Sequence, residues 1–167
     1  IEFKSETDTE VVAHLIARYY KGNLKEAVLK AISKIEGTFG LAVICKDEPD
    51  TMIGARRGSP LILGIGQNEF YLASDVSAII MHTQKVVYLD DNDIVEIKED
   101  GYNLLNTNSQ PVPSIFMLVR LSMVVAKSSF IVKSSPKFLI VVRSVTNCSG
   151  QWFTCLREKS IMFMATK

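Results

Sequence analysis

The chain reads as an α+β protein, a layered sandwich with sheet against sheet and helices outside. Three observations predict this. Two segments with helical periodicity come first, then a meander of short strands broken by turn signals. "TFGLAVIC", Thr38 to Cys45, is apolar almost without interruption, and a strand with no polar side must be covered on both faces. Between the apolar runs stand Pro49-Asp50, Gly58-Ser59-Pro60 and Gly66-Gln67-Asn68, turn formers at strand-length spacing.

The elements follow in order. In "SETDTE", Ser5 to Glu10, Thr7 and Glu10 stand three apart, the spacing at which a hydroxyl and a carboxylate cap each other's backbone amides at a helix start. Val12, Leu15, Ile16 and Tyr19 then fall on one helical face, and Glu10, His14 and Arg18 on a second, expected to be solvated. Gly22 and Asn23 end this helix. Asn23 and Glu26 repeat the capping pattern for a second, whose apolar stripe is Leu24, Val28, Ala31, Ile32 and Ile35. Gly37 closes the helical part. After the doubly apolar strand, "DTMIGARR", "LILGIG", "EFYLAS", "KVVYL" and "DIVEIK" are predicted strands, and "SDVSAIIMH" a short helix capped by Ser74 or Asp75.

After Pro113 this pattern stops. Residues 1–115 carry 11 basic and 17 acidic side chains, whereas residues 116–167 carry 8 basic ones and one acid, Glu158. Four of the six methionines and the only tryptophan, Trp152, lie beyond Pro113. No element is assigned there. Residues 1–113 are expected to form part of one domain, and 114–167 an unassigned tail that comes from a reading-frame change, a splicing artefact or a wrong gene model.

Composition bounds the function. A net charge of +1 and the lack of a Lys/Arg block with interleaved aromatics exclude nucleic acid as a default partner. The most apolar late stretch, Ile115 to Ala126, is short for a bilayer and carries Arg120, so no membrane span is expected. Three cysteines, Cys45, Cys148 and Cys155, make no disulfide framework, and a reducing, cytoplasmic compartment is expected.

Several motifs have plain structural readings. No Cys or His pair has ligand-type spacing, so no metal site is expected. The Gly64–Gly66 run lacks the third glycine of a phosphate loop and reads as a strand end. Asp90, Asp91 and Asp93 lack the rest of a calcium loop and read as a solvated turn. Cys45 lies in the apolar strand and reads as an inert thiol. Asp8 is a favourable helix-start carboxylate, and a carboxylate fixed there is also a rigid receptor for an ammonium group.

"SETDTEVVAHLIARYY", "KIEGTFGLAVICKDEPDTMIGARRGSPLILGIG" and "EFYLASDVSAII", in that succession, resemble the glutamine–fructose-6-phosphate aminotransferase (isomerising) family, also called glucosamine-6-phosphate synthase. The resemblance runs over residues 1–112 and matches the second half of that family's glutaminase domain. It implies the N-terminal-nucleophile hydrolase fold, an αββα sandwich, here incomplete. It also implies a chemistry: a cysteine at the mature N-terminus splits glutamine through a thioester, its own α-amino group serving as base. A sugar-isomerase domain then uses the ammonia to convert fructose 6-phosphate to glucosamine 6-phosphate, without metal or organic cofactor, in an enzyme that is a homo-oligomer.

Carried onto this chain, the resemblance makes Asp8 the group that binds the α-amino group of glutamine. Gly58, Ser59 and Pro60 match a structural turn, and Arg56 matches an arginine without an assigned role. The family's Cys-Gly-Ile start, its Arg-Trp-x-Thr-His segment and its Asn-Gly oxyanion segment have no counterpart in these residues. No catalytic residue is therefore assigned, and the 167-residue chain is expected to be inactive alone. Two alternatives stay open: a piece of another glutamine amidotransferase, forming phosphoribosylamine or asparagine, and a non-catalytic module or a product without function.

Overall fold

A computed structural model describes residues 8–119 and the backbone of four later strands, at 129–135, 138–143, 152–155 and 161–166. Among the described residues two helices come first, α1 (Asp8–Tyr19) and α2 (Leu24–Ile32). Twelve strands follow: β1 (Phe39–Cys45), β2 (Glu48–Arg57), β3 (Ile62–Ile65), β4 (Phe70–Ala73), β5 (Lys85–Tyr88), β6 (Asp93–Lys98), β7 (Gly101–Asn106), β8 (Phe116–Leu118), β9 (Ser129–Ser135), β10 (Phe138–Arg143), β11 (Trp152–Cys155) and β12 (Ile161–Thr166). They form two six-stranded sheets, the first in the order β11-β12-β1-β2-β6-β7 and the second β8-β5-β3-β4-β10-β9.

Layering follows from the alternation of side chains along each strand. Leu41, Val43 and Cys45 of β1, Ile53 and Ala55 of β2 and Ile94 of β6 face the helices, where Ala13 and Ile16 of α1 and Leu24, Ala27, Val28, Ala31 and Ile32 of α2 pack on them. The alternate residues Ala42, Met52, Val95 and Ile97 face the second sheet and meet Leu63, Leu72 and Val87. Strand β1 is thus covered on both faces, as its composition predicted. Gly54 leaves room for side chains between the sheets. A Cβ there would lie 2.7 Å from Val95 Cγ1 and 3.0 Å from Leu72 Cδ1.

The outer face of the second sheet buries Ile62, Tyr71, Ala73 and Val86 under Ile79. Here the predicted short helix is one 3-10 turn, Val76–Ala78, with the Asp75 carboxylate accepting from the Ser77 amide at 2.7 Å. Among the described residues, two helices therefore cover one outer face and the other outer face has only this turn.

Three local expectations change. The turn after β1 falls at Lys46-Asp47, and Pro49-Asp50, read as a turn, lies inside β2. The Glu10 face of α1 is solvated only at Arg18: Glu10 is 1% exposed, and the half-buried His14 places Nε2 3.5 Å from its carboxylate. The reason is that the first sheet continues past β1, and α1 lies over β12 and β11. The acidic turn is also only partly wet, because Asp93 is buried and its Oδ2 accepts from the Asp90 amide at 2.8 Å. Beyond Pro113, where the sequence offered no periodicity, the backbone supplies strands to both sheets. β12 pairs antiparallel with β1, and β10 pairs parallel with β4. The Thr7 end of the expected capping box and Cys148 lie outside the described residues.

Candidate functional site

Asp8 opens α1 and is exposed to solvent, followed by the buried pair Thr9 and Glu10. A carboxylate in the first helical turn is favoured by the positive end of the helix dipole. The link between α1 and α2 is only Tyr20 to Asn23, and the helices pack on each other, so they run antiparallel. The beginning of α1 therefore lies at the same end of the helical layer as the end of α2.

That end of α2 is where the "ARRGSP" segment arrives. Arg57, the last residue of β2, donates from Nη1 to the Ile35 carbonyl at 2.8 Å and from Nη2 to the Ile32 carbonyl at 3.4 Å. Its Nε donates to Asn92 Oδ1 at 3.0 Å, and its guanidinium lies 4.9 Å from the ring centre of Phe39, its cross-strand partner. A guanidinium over helix-terminal carbonyls is favoured both as a multiple donor and by the negative end of the helix dipole.

Arg56, without an assigned role in the sequence reading, turns away from the helices. It donates to the Leu89 carbonyl, and its Nε lies 3.4 Å from Asp91 Oδ1. The same Asp91 oxygen accepts from the Gly58 amide at 3.0 Å, and the Asn92 amide donates to the Arg56 carbonyl at 2.8 Å. The Leu89–Asp93 turn thus clasps the end of β2. Gly58 has φ +73°, and a Cβ on it would lie 2.4 Å from Thr38 Cγ2, so a turn here needs glycine on both counts. Asp8 and the Arg56–Pro60 turn, read separately in the sequence, stand at one end of the helix-on-sheet unit.

Asp93 carries a pKa above its ordinary value. Burial is the main cause, reinforced by Asp90 and opposed by the Asp90 amide and Arg56. Cys45, 2% exposed in β1, is packed in the core and closed to a substrate. Among the described residues no group of three His, Cys, Asp or Glu side chains is placed to hold a metal ion, and no helix is long and apolar enough to cross a membrane.

Comparison with known proteins gives this arrangement a family. Residues 1–81 match the model of the glutamine amidotransferase domain. The computed structure resembles the solved glutamine phosphoribosylpyrophosphate amidotransferase from B. subtilis, complexed with ADP and GMP. The TM-score is 0.54 at 22% identity, covering 66% of this chain and 25% of that one. The fold is therefore the N-terminal-nucleophile hydrolase type, an α+β sandwich present in part, and the chain carries a glutamine amidotransferase domain segment.

The sequence relatives narrow the class. Glutamine–fructose-6-phosphate aminotransferase (isomerizing) from Aquifex aeolicus is 46% identical over 127 residues, 76% of this chain and 22% of the relative. Those from Clostridium tetani and Thermotoga maritima are 46% identical over 111 residues and 47% identical over 106, each covering 18% of the relative. The chain belongs to the glutamine–fructose-6-phosphate aminotransferase family, as part of its glutamine amidotransferase domain. It spans about a fifth of the length of the curated relatives it matches.

Proposed function

We propose that this chain is the glutamine-holding segment of an enzyme that moves the amide nitrogen of glutamine to fructose 6-phosphate, forming glucosamine 6-phosphate in the cytoplasm. The observation that carries the reading is the 46% identity over 127 residues to the aminotransferase of Aquifex aeolicus. Asp8 is the receptor for the substrate's α-ammonium group. An ammonium ion entering a pocket needs an oriented anion, and a carboxylate held in a helix's first turn is one.

The thiol chemistry is assigned to no residue of this chain. Cys45 is sealed in the core, and a thiol must be exposed and ionised to attack an amide. A polypeptide of these 167 residues is expected to release no glutamate from glutamine, and measurable release would overturn that assignment. The substrate assignment is tested by titrating the chain with isotope-labelled L-glutamine and following its signals by NMR. Asp8→Asn should weaken binding on the order of tenfold, the loss of one charge-assisted contact. Equal binding by both proteins would remove Asp8 from the site.

A second reading keeps the fold and changes the acceptor, since the B. subtilis neighbour is named for phosphoribosylpyrophosphate. The two separate by the coding sequence joined to this segment: a sugar-isomerase domain supports the first reading, and a phosphoribosyltransferase domain the second.

A further inference from the structure

We propose that Arg57 is a positioning residue for the ammonium receptor: it pins the end of α2 to the sheet, and so fixes the start of the antiparallel α1, which carries Asp8. The inference rests on the reading of Asp8 as a glutamine contact and names the group that holds Asp8 in place. Arg57 is the point where three elements meet. Its fork takes the carbonyl of Ile32, the last residue of α2, and that of Ile35 three residues on, its Nε takes Asn92 from the Leu89–Asp93 turn, and its flat face covers Phe39 at the start of β1. A lysine could supply the charge but not three directed donors and a stacking plane at once.

The opposite end of the layer has its own tether. Lys25 Nζ donates to Glu96 Oε2 at 3.1 Å, joining the start of α2 to β6. This contact stabilises the same helix without touching the end at which Asp8 stands. It is the control that separates holding the fold together from aiming the carboxylate.

The experiment uses the full 167-residue chain, well below the melting temperature of each variant. The probes are L-glutamine and N-acetyl-L-glutamine, which lacks the ammonium group. The wild type should prefer L-glutamine, and Asp8→Asn should abolish the preference. Arg57→Lys should cut the preference on the order of tenfold, the size expected when a binding group is displaced by a fraction of an ångström. It should also speed amide exchange at Val12 and Ala13 of α1. Lys25→Ala should lower the melting temperature but keep both the preference and the exchange pattern. Should Arg57→Lys fail to fold, Asn92→Ala removes one of the three anchors and should act in the same direction with smaller size. An unchanged preference in the Arg57 or Asn92 variant, with Asp8→Asn still defective, overturns the positioning role alone. Equal binding of both probes by the wild type overturns the glutamine reading, and this inference with it.

Discussion

Helix α2 is held at its two ends by opposite charges from one strand. At its start, Glu48, the first residue of β2, accepts from the Leu24 amide at 2.7 Å. At its end, Arg57, the last residue of β2, donates to the Ile32 and Ile35 carbonyls. Each charge matches the local sign of the helix dipole, so β2 clamps the helix as an electrostatic bracket. The two charges differ in how many groups hold them. Glu48 makes one directed contact there, with the Tyr20 hydroxyl beside it, whereas Arg57 is fixed by three hydrogen bonds and a ring. The Arg57 end is the one that the Arg56–Pro60 turn reaches.

The comparison can be broken most severely at Gly58, the residue after Arg57. Gly58→Ala must accept a left-handed backbone and displace Thr38, at a cost of about 2–3 kcal/mol in urea unfolding. Truncating the anchors themselves measures the asymmetry. Arg57→Ala should cost about 2 kcal/mol and Glu48→Ala about 1 kcal/mol, and equal losses would deny the difference between the ends.

The two buried carboxylates of β6 sharpen the picture through pH. Burial opposes ionisation of Glu96, but the hydrogen bond from Lys25 and the charges of Lys25 and Lys98 outweigh it, so its pKa lies below its ordinary 4.5. A depressed folded value means the tether stabilises fully above 4.5 and is lost as pH falls from there through the lowered value. Glu96→Gln should therefore flatten the acid limb of the stability curve. Asp93 is the opposite case. Its raised value means that its contribution is present below 3.8 and is lost as pH rises through the folded value. Asp93→Asn, which keeps an acceptor for the Asp90 amide, should lose less stability at pH 7 than at pH 3 or even gain some. The smallest effect belongs to Asp8→Asn, about 0.5 kcal/mol, because an exposed carboxylate at a helix start contributes little to stability whatever it binds.

Much of this layer was legible residue by residue. The run from Thr38 to Cys45 announced a strand buried on both faces, and Asn23 announced the cap that its Oδ1 makes with the Glu26 amide at 3.0 Å. The stripe Leu24, Val28, Ala31 and Ile32 is the face buried on the sheet. What local pattern could not carry is long-range. Glu10 looked like a wet helix residue because nothing near it in sequence announces the strands beneath α1. β7 escaped because Gly101 to Asn106 alternates weakly, and its pairing with β6 supplies the order. The strands beyond Pro113 join partners distant in sequence, β12 to β1 and β10 to β4, and no period encodes that choice. At the candidate site, Asp8 is proposed from a motif, while Arg57 was one of two adjacent arginines until the helix end appeared over it.

Strand β8 closes one edge of the second sheet with Phe116, Met117 and Leu118, each at least half exposed, next to Ile115 at 78%. Greasy residues on an outermost strand behave like an open zipper in a crowded tube. Dilute handling, or a lysine placed at Met117, should decide whether the purified protein stays clear or clouds.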